Sequence, residues 1–125
     1  RDLDAGEKRL MKEAGVRVFT MSDIDRRGIS RTISEITTFF RERVDSVHVS
    51  FDIDAIDPRF APGVGIEVPG GLTYREVLYL TEEMAATGMI SSVDMVEVNP
   101  IHDVKNSTAR MAVNLIGRLL GEKIF

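Results

Sequence analysis

The sequence predicts an α/β fold in which a parallel sheet is covered by helices on both faces. Three observations carry this. Helix and strand periodicities alternate along the chain in the order helix, strand, helix, strand, helix, strand, helix. The runs Val47–Asp52 and Ser92–Val98 are apolar enough to be buried strands. Polar caps and glycines mark where the helices start and stop.

The elements follow in order. Asp4, with Glu7 three residues on, caps a short helix over 5–14 that ends at Gly15. Val16 to Thr20 alternates at period two and reads as a strand. Met21 to Gly28 is polar and reads as a loop or a short helical turn. Ile33, Ile36, Phe39 and Phe40 form an apolar stripe on a helix over 30–43. After Asp45 and Ser46 comes the strand at Val47–Asp52. A long loop over 55–72 follows, with Pro58, Pro62, Pro69, Gly63, Gly65, Gly70 and Gly71. Thr73 and Glu76 form a capping box for a helix running to Gly88. The last strand covers roughly 92–98. Ser107 or Thr108 then caps a helix to Leu120, closed by Gly121. Three strands make a thin sheet. The chain also opens at Arg1 without an initiator Met, and Arg1–Asp4 reads as the end of a strand, so a piece of a larger protein is expected.

Composition narrows the function classes. A chain of 125 residues is one domain at most. Its net charge of −4 and scattered arginines, as in Arg26–Arg27, give no polybasic stripe for nucleic acid. No cysteine is present, which excludes disulfides, thiolate catalysis and cysteine zinc sites. No apolar run reaches the length of a membrane span, and no signal peptide is visible, so a cytoplasmic setting is expected.

Chemistry concentrates at the carboxyl ends of strands, where α/β sheets place their sites. Asp52 and Asp54 lie two apart and would share a face if both were strand residues. Paired carboxylates resist joint ionisation unless a cation lies between them, and a hard divalent metal such as Mg²⁺ or Mn²⁺ suits oxygen ligands. The same run also reads as a solvated acidic turn, with Asp57-Pro58 starting it. Glu97 leaves the last strand at the same rim and could bind a cationic group or face water. Asp94, earlier in that strand, is expected to pair with an Arg or a backbone donor. Asp4 is accounted for by its cap, with a functional use left open. His48 reads as a core or interstrand residue and His102 as a loop residue near water; neither belongs to a metal-binding His motif. Gly70-Gly71 lacks the spacing of a phosphate loop and is read as close backbone packing.

Together these motifs resemble the ureohydrolases, the family of arginase, agmatinase and formimidoylglutamase. The resemblance rests on Ser50-Phe51-Asp52-Ile53-Asp54-Ala55-Ile56-Asp57-Pro58, Ala61-Pro62-Gly63-Val64-Gly65, Gly70-Gly71-Leu72-Thr73-Tyr74-Arg75-Glu76 and Glu97-Val98-Asn99-Pro100, in order and spacing. Within the family, the Glu97-Val98-Asn99-Pro100 form and the Asp103-Val104-Lys105-Asn106 tail look most like bacterial arginases. The resemblance implies a three-layer α/β/α fold, of which residues 1–125 would be the C-terminal half. It implies an enzyme that uses two Mn²⁺ ions to hydrolyse L-arginine to L-ornithine and urea; a half-domain would also expose apolar strand edges and helix faces, so a homo-oligomer is expected. Asp52 would bridge the metals and Asp54 would bind one. Glu97 would hold the guanidinium, and Asp4 the α-amino end of the substrate. The family's other ligands come from a His and an Asp-x-His-x-Asp motif that this chain lacks, as it lacks the proton-shuttle His. Ile66 also stands where the family usually carries Thr. The chain alone is therefore expected to be inactive. Two alternatives stay open: agmatinase or formimidoylglutamase activity on the same scaffold, and a non-catalytic, self-associating module.

Overall fold

The computed structural model describes residues 3–122. Its architecture is of the three-layer α/β/α class with a small parallel sheet. The sheet pairs β1 (Val47–Asp52) with β2 (Ile90–Val96) in parallel, the residues between them crossing over through a helix. Around it run α1 (Ala5–Glu13), α2 (Met21–Arg27), α3 (Ile29–Arg41), α4 (Tyr74–Ala86) and α5 (Ser107–Leu119). No helix among the described residues is long and apolar enough to cross a membrane.

β1 alternates strictly. Val47 and Phe51 are buried, with half-buried Val49 between them, while His48, Ser50 and Asp52 are exposed. β2 keeps phase with it through a bulge between the Val47↔Ile90 and His48↔Ser92 rungs. The extra residue lets Ile90 and Val93, three apart, both turn toward the helices. The core forms on this face. Phe51, Ile53, Val77, Ala112 and Leu115 cluster near the carboxyl end of the strands, and Val47, Met84 and Leu119 near the other. Ile36 and Phe40 of α3 pack onto the second cluster. Among the described residues, α3, α4 and α5 thus form the layer on the Val47–Val49–Phe51 face. On the opposite face His48 bonds across the strands, Nδ1 to Ser92 Oγ at 2.8 Å and Nε2 beside Asp94 Oδ2 at 3.5 Å. His48 is therefore an interstrand residue, and it is the partner of Asp94 where an Arg or backbone donor was expected.

Three elements differ from the sequence reading. Val16 to Thr20 is irregular and pairs with no strand among the described residues. Period two fixes which side chains share a face but supplies no neighbouring backbone. Here Val16 and Val18 point to solvent, and Arg17 reaches α3 instead, its guanidinium 5.2 Å from the Phe39 ring and 3.5 Å from Glu35 Oε2. Met21–Arg27 is a full helix, because Thr20 and Asp23 form a capping box at its start. Finally, α5 is not capped by Ser107 or Thr108. Its N-cap is Asn106, in the left-handed region, and the Asp103 carboxylate takes the free amides of Thr108 and Ala109 at 3.0 Å each. The expected strand end at Arg1–Asp4 falls partly outside the described residues; Leu3 and Asp4 are not in a strand.

Candidate metal and guanidinium site

Asp52 ends β1, and its exposed carboxylate accepts the Asp54 amide on Oδ1 at 3.0 Å. That bond turns the chain into a 3₁₀ turn over Ile53–Ala55. Asp54 therefore does not continue the strand, so strand alternation does not give the two residues a shared face. A tight turn links the two residues instead, with Ile53 between them in sequence fully buried. The next strand delivers Glu97 to the same rim, since Asp52 pairs with Val96 and Glu97 follows directly. Glu97 has φ +64°, a left-handed conformation that costs a side-chain-bearing residue about 1–2 kcal/mol. This backbone turn ends β2 at Val96, two residues earlier than its apolar run suggests.

The loop between the turn and α4 is built around Asp57, a 2 % exposed carboxylate. Oδ1 accepts the Arg59 amide at 3.0 Å and Arg59 Nε at 2.7 Å, and Oδ2 accepts the Gly70 amide at 2.9 Å. The Arg59 side-chain and backbone bonds, then the Gly70 bond, hold its pKa well below the usual carboxylate range despite burial. Asp57 is thus a turn residue. Gly71 lies under it, where a Cβ would be 2.6 Å from the Asp57 nitrogen and 2.7 Å from the Ala55 oxygen. The Gly70-Gly71 pair is therefore close backbone packing.

A second anchor ties the loop to α5. Thr108 Oγ1 accepts the Gly63 amide at 2.8 Å, and the Asn99 amide donates to the Gly63 carbonyl at 2.8 Å. Asp103 packs so closely on Gly63 that a Cβ there would lie 2.6 Å from its Cβ and Cγ. Burial opposes the charge on Asp103, but the amides of Thr108 and Ala109 and nearby hydroxyls outweigh it and hold its pKa at about 2. His102 Nδ1 lies 3.0 Å from the Val64 carbonyl, so this loop histidine bonds backbone rather than water alone. None of these ties was evident from the sequence; a Gly opposite a pinned Asp becomes visible only once residues 63 and 103 are in contact.

The fold thus brings Asp52, Asp54 and Glu97 to one rim. Asp4 sits apart in sequence at the N-cap of α1, in a reciprocal capping box: its Oδ1 accepts the Glu7 amide at 2.8 Å and its own amide donates to Glu7 Oε2 at 2.9 Å. Among the described residues its hydrogen bonds stay within α1. The carboxylates of Asp52 and Asp54 are oxygen donors of the kind a hard divalent cation takes. Among the described residues, however, no three His, Asp or Glu side chains gather as a metal cage. The donor set fits one side of a metal centre.

A family model described as the arginase family matches residues 1–121. The chain belongs to the arginase family. It is 48% identical over 124 residues to the arginase of Bacillus caldovelox and 47% identical to that of Bacillus subtilis, covering 99% of this chain and 42% of each relative. The chain therefore spans about two-fifths of the length of the curated relatives it matches. The native structure of the B. caldovelox arginase superposes with a TM-score of 0.96 over 100% of this chain and 42% of that one, at 48% identity. A formimidoylglutamase from B. subtilis shares the fold at 29% identity, with a TM-score of 0.88 over 94% of this chain and 36% of that one.

Proposed function

We propose that these residues are the C-terminal part of a manganese-dependent arginase and supply one wall of its active site. What supports this reading is backbone placement: Asp52 ends β1 opposite Val96, Glu97 follows Val96, and Asp54 lies in the turn after β1, all at the carboxyl end of the β1–β2 pair. Asp52 and Asp54 would hold the Mn²⁺ ions together with ligands from outside the described residues. When bound, the metal pair lowers the pKa of water toward neutrality. Glu97 makes no side-chain hydrogen bond among the described residues and is exposed. Its two oxygens match the parallel N–H pairs of a guanidinium, giving a bidentate, charge-assisted contact that orients the substrate carbon toward the metal side. Hydrolysis adds water across the guanidinium carbon, breaks its bond to the side-chain nitrogen and leaves ornithine and urea. Asp4 Oδ2, which accepts no bond among the described residues, could take the substrate's α-ammonium group.

The 125-residue chain alone, supplied with Mn²⁺, is expected to release no urea from arginine. The complete enzyme carrying these residues is expected to prefer arginine over agmatine and formimidoylglutamate. In that enzyme, Glu97→Gln should lower kcat/KM for arginine about a hundredfold, because it removes a charged partner from the guanidinium. Asp52→Asn should lower the bound manganese measured by metal analysis. Full activity of Glu97→Gln, or preference for another of the three substrates, would reject the arginine reading.

A further inference from the structure

We propose that His102 is a positioning residue for Glu97: it pins the loop backbone that walls the carboxylate and so sets how tightly the guanidinium binds. The inference rests on the arginase reading of Glu97. Glu97 holds a costly left-handed backbone, and no hydrogen bond among the described residues fixes its carboxylate. Its placement must come from what it packs against. Gly65 is that wall, because a Cβ at this position would stand 3.5 Å from Glu97 Oε2.

The wall is held from one side. Gly63 is bonded at both its amide and its carbonyl, and Val64 accepts His102 Nδ1 on its carbonyl. Among the described residues none from Gly65 to Pro69 makes a hydrogen bond, and the next tie is the Gly70 amide to Asp57. His102 is therefore the last anchor before the residue that faces Glu97. Val64 itself is 1% exposed and its amide bonds the Pro62 carbonyl at 2.9 Å, so the His102 bond to the Val64 carbonyl sits where the chain leaves this anchored residue toward Gly65. A carbonyl oxygen only accepts, so the contact requires the proton on Nδ1. Ile66, next to the wall and 73% exposed, has no hydroxyl with which to replace that tie.

The test compares variants of the complete, manganese-loaded enzyme. His102→Leu removes the donor, and because residue 102 is exposed the substitution leaves the core intact. KM for arginine should rise about fivefold, the equivalent of one ordinary hydrogen bond. kcat should stay within about twofold, since a looser binding wall weakens ground state and transition state alike. His102→Asn places an amide N–H near the position of Nδ1 and should restore KM. His102→Gln, whose amide lies one bond further out, should not. His102→Ala should repeat the Leu result if Leu causes self-association. An unchanged KM in His102→Leu and His102→Ala, or a His102→Asn variant no better than Leu, overturns the positioning role. A wild-type enzyme inactive on arginine overturns the site reading on which it rests, so the two failures are separable.

Discussion

The segment Val16–Thr20 and the loop from Asp52 to Leu72 both run largely outside the regular ladder, yet they are held in opposite ways. The first lies on the surface, with Val16 53% and Val18 40% exposed, and Arg17 stacks on Phe19 and Phe39 while meeting Glu35. The second carries Ile53, Ile56, Ala61 and Val64 into the core and surrounds Asp57 with three hydrogen bonds. α1 and α2 resemble the first region in burying no residue fully. The contrast teaches where the molecule has spent its packing. The rim bearing the carboxylates is supported from beneath by core and buried hydrogen bonds, whereas Val16–Thr20 and α2 are tied to α3 by solvated cation–π contacts and ion pairs, which contribute little each. A site that must hold repelling carboxylates together needs the first kind of support.

The sharpest way to break this comparison is Gly71→Ala. The new Cβ would meet three backbone atoms at 2.6–2.8 Å, and backbone cannot step aside as a side-chain tip can. A loss of about 3 kcal/mol or more is expected, at the upper end of overpacking effects. Urea denaturation reads this directly; a loss below about 1 kcal/mol would show that the loop is softer than its contacts suggest. Gly63→Ala should follow at about 1–3 kcal/mol. Its clash is with Asp103 Cβ and Cγ, a side chain that could move except that it also holds the N-terminus of α5.

Acid should reach the same region. Asp57 and Asp103 have folded pKa values depressed below the ordinary Asp value of about 3.9, Asp103 to about 2. Their contribution is therefore fully present above the unfolded pKa and is lost as pH falls through the folded values. A melting-temperature series should be flat with respect to these groups above about pH 5 and should fall between about pH 4 and 2. Asp103→Asn should flatten part of that fall. An unchanged acid slope in that variant would show that Asp103 is not linked to unfolding.

These anchors also explain what could be read from the sequence. β1, the Thr73–Glu76 box and the Asp57 turn were legible because each is decided within a few neighbouring residues: alternation, a reciprocal cap, an Asp before Pro. Asp52 and Glu97 were legible as rim residues because they follow apolar strands. Four features were not. Asp54 turns onto a 3₁₀ segment because Asp52 captures its amide, a choice that alternation cannot foresee. The α5 cap comes from Asp103, five residues before Thr108, with Asn106 in a left-handed bend between them. The tie from His102 spans 38 residues. Val16–Thr20 carries a strand pattern, but whether a strand forms depends on a partner that its own residues do not specify.

The smallest expected effect tests the surface half of the comparison. Arg17→Ala removes two ring contacts, at 5.3 Å from Phe19 and 5.2 Å from Phe39, and the 3.5 Å contact with Glu35. The Arg17 side chain is 46% exposed, so solvent screens these interactions, and a stability change of about 0.5–1 kcal/mol is expected. Glu35 keeps Arg27 at 3.1 Å and Arg31 at 3.4 Å, so no charge is left unpaired. Hydrogen exchange should speed up at residues 16–20 while the amides of β1 stay as protected as before. If exchange rises equally in β1, or if the loss approaches that of Gly71→Ala, the N-terminal segment belongs to the same cooperative unit as the rim. Attachment by surface contacts would then be the wrong account of how it is held.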